Sequence, residues 1–355
     1  MNHNFLHLDF KGVVPAVGRL MEYLDYFKVC GFNGVIFEID CRYQWRTWPD
    51  AAIPLLTKDD IKNLVEHCEK LEMRAIPLVQ IQGHLEWVLK HDHFAHLREN
   101  DFFNELCPSL PESGKLVREW IDEALELFPG TEYIHLGGDE TWNYASCPAC
   151  TEYADKSTHG KFGVYIDHVA ACCRHALGRG VRPLIWADMF WREKSFDLVR
   201  ELPEATILID WQYTGKAPFS TTFELMKTGY EVWGASAISC GWYEGRHSAQ
   251  REPGPRLENI LSWYDWGHKN DVSIIHTTWG RPGNLWNLYP PWTGQLPFFI
   301  AAGNPDRWQQ HPWREFFTGL NDIMFRGGPH ELEQAIKDLE SLPAADDWER
   351  ECLQW

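Results

Sequence analysis

The chain has 355 residues, of which 44% are hydrophobic and 24% charged, and its formal net charge is −18 at pH 7. So acidic a balance excludes nucleic acid and anionic membrane surfaces as partners, because like charges repel. No run of about 18 apolar residues offers a membrane span, and Met1-Asn2-His3-Asn4 leads into the first strand without a basic, apolar leader, so the expected location is cytoplasmic.

Short β-branched, apolar runs alternate with helical patterns along the chain. Residues 5–10, 34–40, 74–80 and 132–136 read as four strands, and 183–187, 206–211, 230–236 and 272–278 as four more. Helical patterns over 16–30, 58–71, 113–128, 162–177, 219–228 and 256–269 lie between and after them. Gly31, Pro54, Pro129-Gly130, Gly180 and Gly229 mark the joins. This alternation implies right-handed βαβ units and a parallel sheet. Eight units predict an α/β protein closed into a single (β/α)8 TIM barrel. An open doubly wound sheet is the runner-up, but no glycine-rich dinucleotide fingerprint follows the first strand. The expectation is one catalytic domain over 1–355, with no accessory domain ahead of the barrel and 320–355 as C-terminal helices packed on it.

In such a barrel, functional side chains gather where the strands end. In chain order the predicted ends carry Asp9-Phe10-Lys11, Glu38-Ile39-Asp40, Gln80-Ile81-Gln82-Gly83-His84 and Asp139-Glu140. Trp186-Ala187-Asp188, Asp210-Trp211-Gln212-Tyr213, Trp233 with Ser236, and Trp279 follow. Polar and aromatic residues recur at all eight ends, which packing alone would produce at some.

The most informative end is Tyr133-Ile134-His135-Leu136-Gly137-Gly138-Asp139-Glu140-Thr141-Trp142. Two glycines let the backbone turn sharply and deliver two adjacent carboxylates and an indole. Carboxylates that share a pocket cannot ionise independently, so one becomes an acid at neutral pH. The chain also holds nineteen tryptophans, and indole faces stack on the C–H faces of sugar rings. A two-carboxylate glycosidase places its pair about 5–5.5 Å or about 6.5–9.5 Å apart across the scissile bond. Adjacent residues such as Asp139 and Glu140 are poorly placed for that. A sugar with a 2-acetamido group can supply its own nucleophile, the acetamido oxygen. Glu140 then suits protonation of the leaving oxygen, Asp139 suits the acetamido N–H, and the Tyr213 hydroxyl suits the acetamido oxygen.

Ten cysteines are scattered through the chain, and reduced, mostly buried thiols are expected. Cys147-Pro148-Ala149-Cys150 has metal-ligand spacing, but a structural zinc needs four ligands and no second pair follows. A plain loop is the favoured reading, and no metal or cofactor is assigned.

The His-x-Gly-Gly-Asp-Glu pattern at 135–140 resembles the catalytic motif of family 20 glycoside hydrolases, the β-N-acetylhexosaminidases, in their compact hexosaminidase D-like form. Leu8-Asp9-Phe10-Lys11-Gly12, residues 77–90 and 94–99, Trp186-Ala187-Asp188-Met189, Trp211-Gln212-Tyr213-Thr214, Ala235-Ser236-Ala237 and Thr278-Trp279 support the likeness. The resemblance implies retaining, substrate-assisted removal of terminal β-linked GlcNAc or GalNAc from a small glycoside or oligosaccharide. Asp139 would orient the acetamido group, Glu140 would be the general acid/base, and Tyr213 would hold the acetamido oxygen. Trp186, Trp211 and Trp279 would wall the pocket, and His84 and Asp188 would be polar residues within it. The arginine that usually ends strand one is missing, and Asp9, Lys11, Glu38 or Asp40 would replace it. The usual Trp-x-Glu after strand eight stands here as Trp279-Gly280-Arg281. A catalytically silent sugar-binding barrel is the alternative, although Asp139, Glu140 and Tyr213 are all retained. A chitinase-like endo-enzyme would need a spaced acidic strand that the chain lacks. Homodimerisation and the GlcNAc or GalNAc preference are left open.

Overall fold

The computed structural model describes residues 3–11, 14–240, 253–279 and 296–303. The expected helical extension at 320–355 and Arg281 lie outside the described residues.

The chain opens with β1 (Asn4–Asp9), α1 (Val17–Cys30), β2 (Gly34–Glu38), α2 (Lys58–Lys70) and β3 (Arg74–Leu78). A short α3 (Glu86–Leu89) and a hairpin, β4 (Arg98–Glu99) and β5 (Phe102–Leu106), precede α4 (Pro111–Leu127) and β6 (Tyr133–His135). Next come α5 (Pro148–Lys156), α6 (Gly160–Gly178), β7 (Arg182–Trp186), α7 (Asp188–Arg192), β8 (Ile207–Trp211) and α8 (Ser220–Lys227). The series ends with β9 (Glu231–Ser239), α9 (Pro253–Asn270), β10 (Ile274–Thr278) and α10 (Leu296–Gly303).

Eight strands form a closed barrel in the order β1-β2-β3-β6-β7-β8-β9-β10, with β10 returning to β1, and every pair is parallel. The predicted (β/α)8 barrel is therefore the observed fold. Local signals explain where the elements begin and end. Thr57 caps α2 with its hydroxyl on the Asp60 N–H at 3.1 Å, while the Asp60 carboxylate accepts the Thr57 N–H at 2.8 Å. α1 stops at Gly31, which adopts a φ of 114°.

The strands are buried on both faces, and side chains alternate between them. Phe5, Ile36, Ile76, Leu78, Leu184, Ile207, Ile209 and Ile275 fill the barrel interior. Leu6, Leu8, Val35, Phe37, Ile134, Ile185 and Leu208 pack outward into the layer shared with the helices. Burying each such side chain contributes about 1.5–3 kcal/mol. The same alternation sends His7, Glu38, Gln80, His135 and Trp186 inward near the strand ends. Among the described residues no helix is long and apolar enough to cross a membrane.

Candidate active site

Beyond β6 the backbone turns through Gly137 (φ 61°) and Gly138 (φ 85°). A Cβ on Gly137 would lie 1.9 Å from Gln80 Oε1, so glycine is needed there for space as well as for conformation. Helix α6 holds this turn and its neighbour. The Tyr165 hydroxyl donates to the Gly138 carbonyl at 2.8 Å, and His168 Nε2 donates to the Ile81 carbonyl at 2.9 Å.

The turn presents Asp139, which is buried, and Glu140, which keeps about a third of its side chain exposed. His84, from the loop after β3, bridges them: its Nε2 lies 3.4 Å from Asp139 Oδ2 and 3.6 Å from Glu140 Oε2. Burial opposes charge on His84, but Asp139 and Glu140 outweigh it and hold the imidazole well above its usual pKa. Glu140 is raised, chiefly by burial and then by Asp139, against the opposing charges of His84 and Arg192. Asp139 Oδ1 is buried, and among the described residues no donor reaches it.

Asp188, at the start of α7, is fully buried. It accepts the Glu140 N–H at 3.1 Å and Arg192 Nε at 3.1 Å. Burial and the Asp139 charge push its carboxyl up to about 7. The Arg192 guanidinium also lies 3.6 Å from Glu140 Oε1 and 4.1 Å from the ring of the exposed Trp142. Glu105 accepts the Trp142 N–H at 2.6 Å and the Asn143 N–H at 2.9 Å, and burial raises it to about 7. Asp40, His84 and Glu140 are all non-glycine residues with left-handed backbones, at φ 44°, 57° and 49°.

Aromatic rings form the other side. Trp211 stacks on Tyr213 with ring centres 5.0 Å apart, and Trp279 Nε1 donates to the Tyr213 hydroxyl at 3.1 Å. Trp186 lies deeper, 4.3 Å from His135 and 6.1 Å from Trp279. Burial raises the Tyr213 phenol well above its usual range, and Asp139 adds to the effect. Tyr213 therefore stays a neutral hydroxyl.

Asp9, Lys11, Glu38 and Asp40 gather in one buried ion network beside this pocket. Lys11 Nζ lies 2.6 Å from Glu38, 3.2 Å from Asp9 and 3.5 Å from Asp40. Glu38 is further held by His7 Nε2 at 2.9 Å and Gln80 Nε2 at 3.1 Å. Burial opposes its charge, but Lys11 and His7 lower its pKa. Burial raises Asp40 well above the usual carboxylate range, against the charge of Lys11. The network joins the pocket through Gln80, packed over Gly137, and through Lys11, 5.5 Å above the Trp279 ring.

Three residues at two predicted strand ends are placed differently from their reading. Asp210 faces outward and accepts hydrogen bonds from Thr221 and Thr222 at the start of α8, because strand alternation sends Trp211 inward instead. β9 runs on to Ser239, so Trp233 sits low in the barrel against Phe5 and Tyr133. Ser236 is buried against His276 Nδ1 at 2.6 Å. His7, Glu105 and Arg192 escape sequence reasoning. Only two spacings hint at them: His7 is two residues before Asp9 on one strand, and Arg192 is one helical turn beyond Asp188.

The profile described as "Glycosyl hydrolase family 20, catalytic domain" matches residues 40–287. The chain belongs to that family and is a glycoside hydrolase. It is 30% identical over 279 residues to Hexosaminidase D of Bos taurus, covering 73% of this chain and 77% of the relative. It is 31% identical over 295 residues to Hexosaminidase D of Homo sapiens, covering 78% of this chain and 60% of that protein. In fold it is similar to the β-N-acetylhexosaminidase of Bacteroides fragilis, with a TM-score of 0.65 at 16% identity, covering 91% of this chain and 70% of that one. The exo-β-N-acetylglucosaminidase of Vibrio harveyi, solved with N-acetylglucosamine, gives a TM-score of 0.66 at 14% identity, covering 95% and 58% respectively.

Proposed function

We propose that this glycoside hydrolase is an exo-β-N-acetylhexosaminidase that removes terminal β-linked GlcNAc or GalNAc with the substrate's own acetamido group as nucleophile. One observation carries the reading: among the described residues Asp139 Oδ1 is a buried acceptor without a donor, next to a carboxyl whose pKa burial raises. An acetamido N–H meets that acceptor. The names of the curated relatives support the same substrate class.

Glu140 gives its proton to the glycosidic oxygen as the bond to the anomeric carbon breaks. The acetamido oxygen closes on that carbon from the opposite face and forms a cyclic oxazolinium ion. Asp139 holds the N–H that becomes acidic in this ion, and the Tyr213 hydroxyl donates to the attacking oxygen and positions it. Water then loses a proton to Glu140 and opens the ring, returning the β configuration. Trp186, Trp211 and Trp279 offer apolar faces to the sugar. His84⁺ balances Asp139, and Asp188 fixes the Glu140 backbone. The Lys11 network takes the place of the missing strand-one arginine.

The test is inhibition by an N-acetylglucosamine thiazoline, a stable mimic of the cyclised ion, measured with aryl β-GlcNAc and aryl β-GalNAc substrates in parallel. Competitive inhibition well below the substrate KM is expected. Turnover without inhibition at millimolar thiazoline would refute the internal nucleophile, and no turnover of either substrate would favour a sugar-binding barrel.

A further inference from the structure

We infer that Glu99, Cys107, Cys147 and Cys150 form a structural zinc site that clamps the loop behind Asp139 and Glu140. The four side chains are buried, and their ligand atoms lie within 4.8 Å of one another. Cys107 Sγ is 3.3 Å from Cys147 Sγ and 3.4 Å from Cys150 Sγ, and Cys150 Sγ is 3.0 Å from Glu99 Oε2. Zinc–sulfur bonds of about 2.3 Å in a tetrahedron separate sulfurs by about 3.8 Å, so the shell opens by only a few tenths of an ångström to admit the ion. A disulfide requires about 2.05 Å and joins only two sulfurs. Cys107 lies almost equally far from both partners, so either pairing would strand a third thiol beside a buried carboxylate.

Charge points the same way. Glu99 Oε1 accepts the Ser146 and Cys147 N–H groups, each at 2.6 Å, which leaves Oε2 facing the sulfurs. Among the described residues no Lys, Arg or His pairs with Glu99, and a buried carboxylate without a cation is costly. Cys147 caps α5, and its sulfur accepts the Cys150 N–H at 3.4 Å, which fixes its position in the shell. Three thiolates and one carboxylate in a compact, closed shell suit zinc over hard, oxygen-seeking cations.

The ligands come from β4, from the residue after β5 and from the start of α5. The ion would therefore tie the hairpin to the loop that carries Trp142. Sequence spacing shows half of the set, because Cys107 lies 40 residues and Glu99 48 residues before Cys147.

The experiment uses the whole chain, purified without chelator or metal-binding tag, with metal measured by plasma mass spectrometry. About one zinc per chain is expected, falling below about 0.1 in Cys150→Ser and unchanged in Cys68→Ser, a buried cysteine elsewhere. Cobalt substitution should give thiolate-to-metal charge-transfer absorption, which keeps the test alive if the variant fails to fold. Wild-type chain that holds below about 0.1 zinc after incubation with excess zinc and gel filtration would overturn the inference. So would a disulfide joining Cys107 to Cys147 or Cys150 in peptide mapping.

Discussion

Lys11→Met removes a cation in contact with three buried carboxylates. At an effective dielectric constant of about 20, the Lys11–Glu38 pair at 2.6 Å is worth about 6 kcal/mol before desolvation is counted. Desolvation of the ammonium offsets part of this, and deleting one partner of a buried pair costs about 3–5 kcal/mol in practice. That is a large share of a typical domain stability of about 5–15 kcal/mol. The cost should also depend on pH. In the wild type, Glu38 has a lowered pKa, so its contribution is present above the unfolded value near 4.3 and lost as pH falls through the folded one. Without Lys11, burial raises Glu38 instead. Its effect then reverses, and stability is lost as pH rises above the unfolded value. Urea unfolding at pH 5 and pH 8 should give a larger loss at pH 8, and Glu38→Gln added to Lys11→Met should recover most of it. A loss below about 1 kcal/mol, the range of exposed ion pairs, or an equal loss at both pH values would refute the reasoning.

Glu140→Gln should slow release of an unactivated sugar or alkyl aglycone by about 10²–10⁴-fold, while a dinitrophenyl leaving group, which needs no proton, should lose little in the bond-breaking step. Equal losses on both substrates would remove Glu140 from the acid role. As the proposed acid, Glu140 must be protonated to act, so kcat/KM should fall as pH rises through its raised pKa. His84→Asn deletes a charge that lowers this pKa and keeps a residue that tolerates the left-handed backbone, so the alkaline limb should move to higher pH. A limb that stays or moves down would count against the His84–Glu140 coupling. Gly137→Ala should destabilise more than Gly138→Ala in thermal unfolding. Both incur about 1–2 kcal/mol for the left-handed backbone, but the new Cβ meets Gln80 Oε1 at 1.9 Å in the first and only Tyr165 Oη at 3.5 Å in the second. Equal losses would place Gln80 outside the constraint.

The barrel was legible because each strand is a short apolar run bounded by Gly, Pro or a helical pattern, and the eight predicted strands coincide with the eight observed. The largest difference is β9, where small residues (Gly234, Ala235, Ser236, Ala237) weaken the sign of where the strand stops. The hairpin β4–β5 and the helices α5 and α7 were not legible, since two to nine residues cannot establish a period. At the site, the Gly-Gly-Asp-Glu turn and the aromatic strand ends carry their own signals. His7, Glu105 and Arg192 do not. Their placement depends on which strand face points inward and on a hairpin docking against a distant loop, which are tertiary facts. Asp210 shows the converse: a carboxylate at a strand end, turned outward by one step of alternation.

The left-handed residues Asp40, His84 and Glu140 have a consequence for engineering. Each holds a backbone that costs a non-glycine residue about 1–2 kcal/mol; His84 and Glu140 meet in the pocket, and Asp40 lies in the buried Lys11 network beside it. A selection for thermal tolerance alone would drift toward Gly or Asn at these positions, and each gain in melting temperature would erase a titratable group from the pocket or from the network beside it. Variants of this barrel that survive heating best are therefore poor places to look for faster turnover, and selections should apply heat and hydrolysis together.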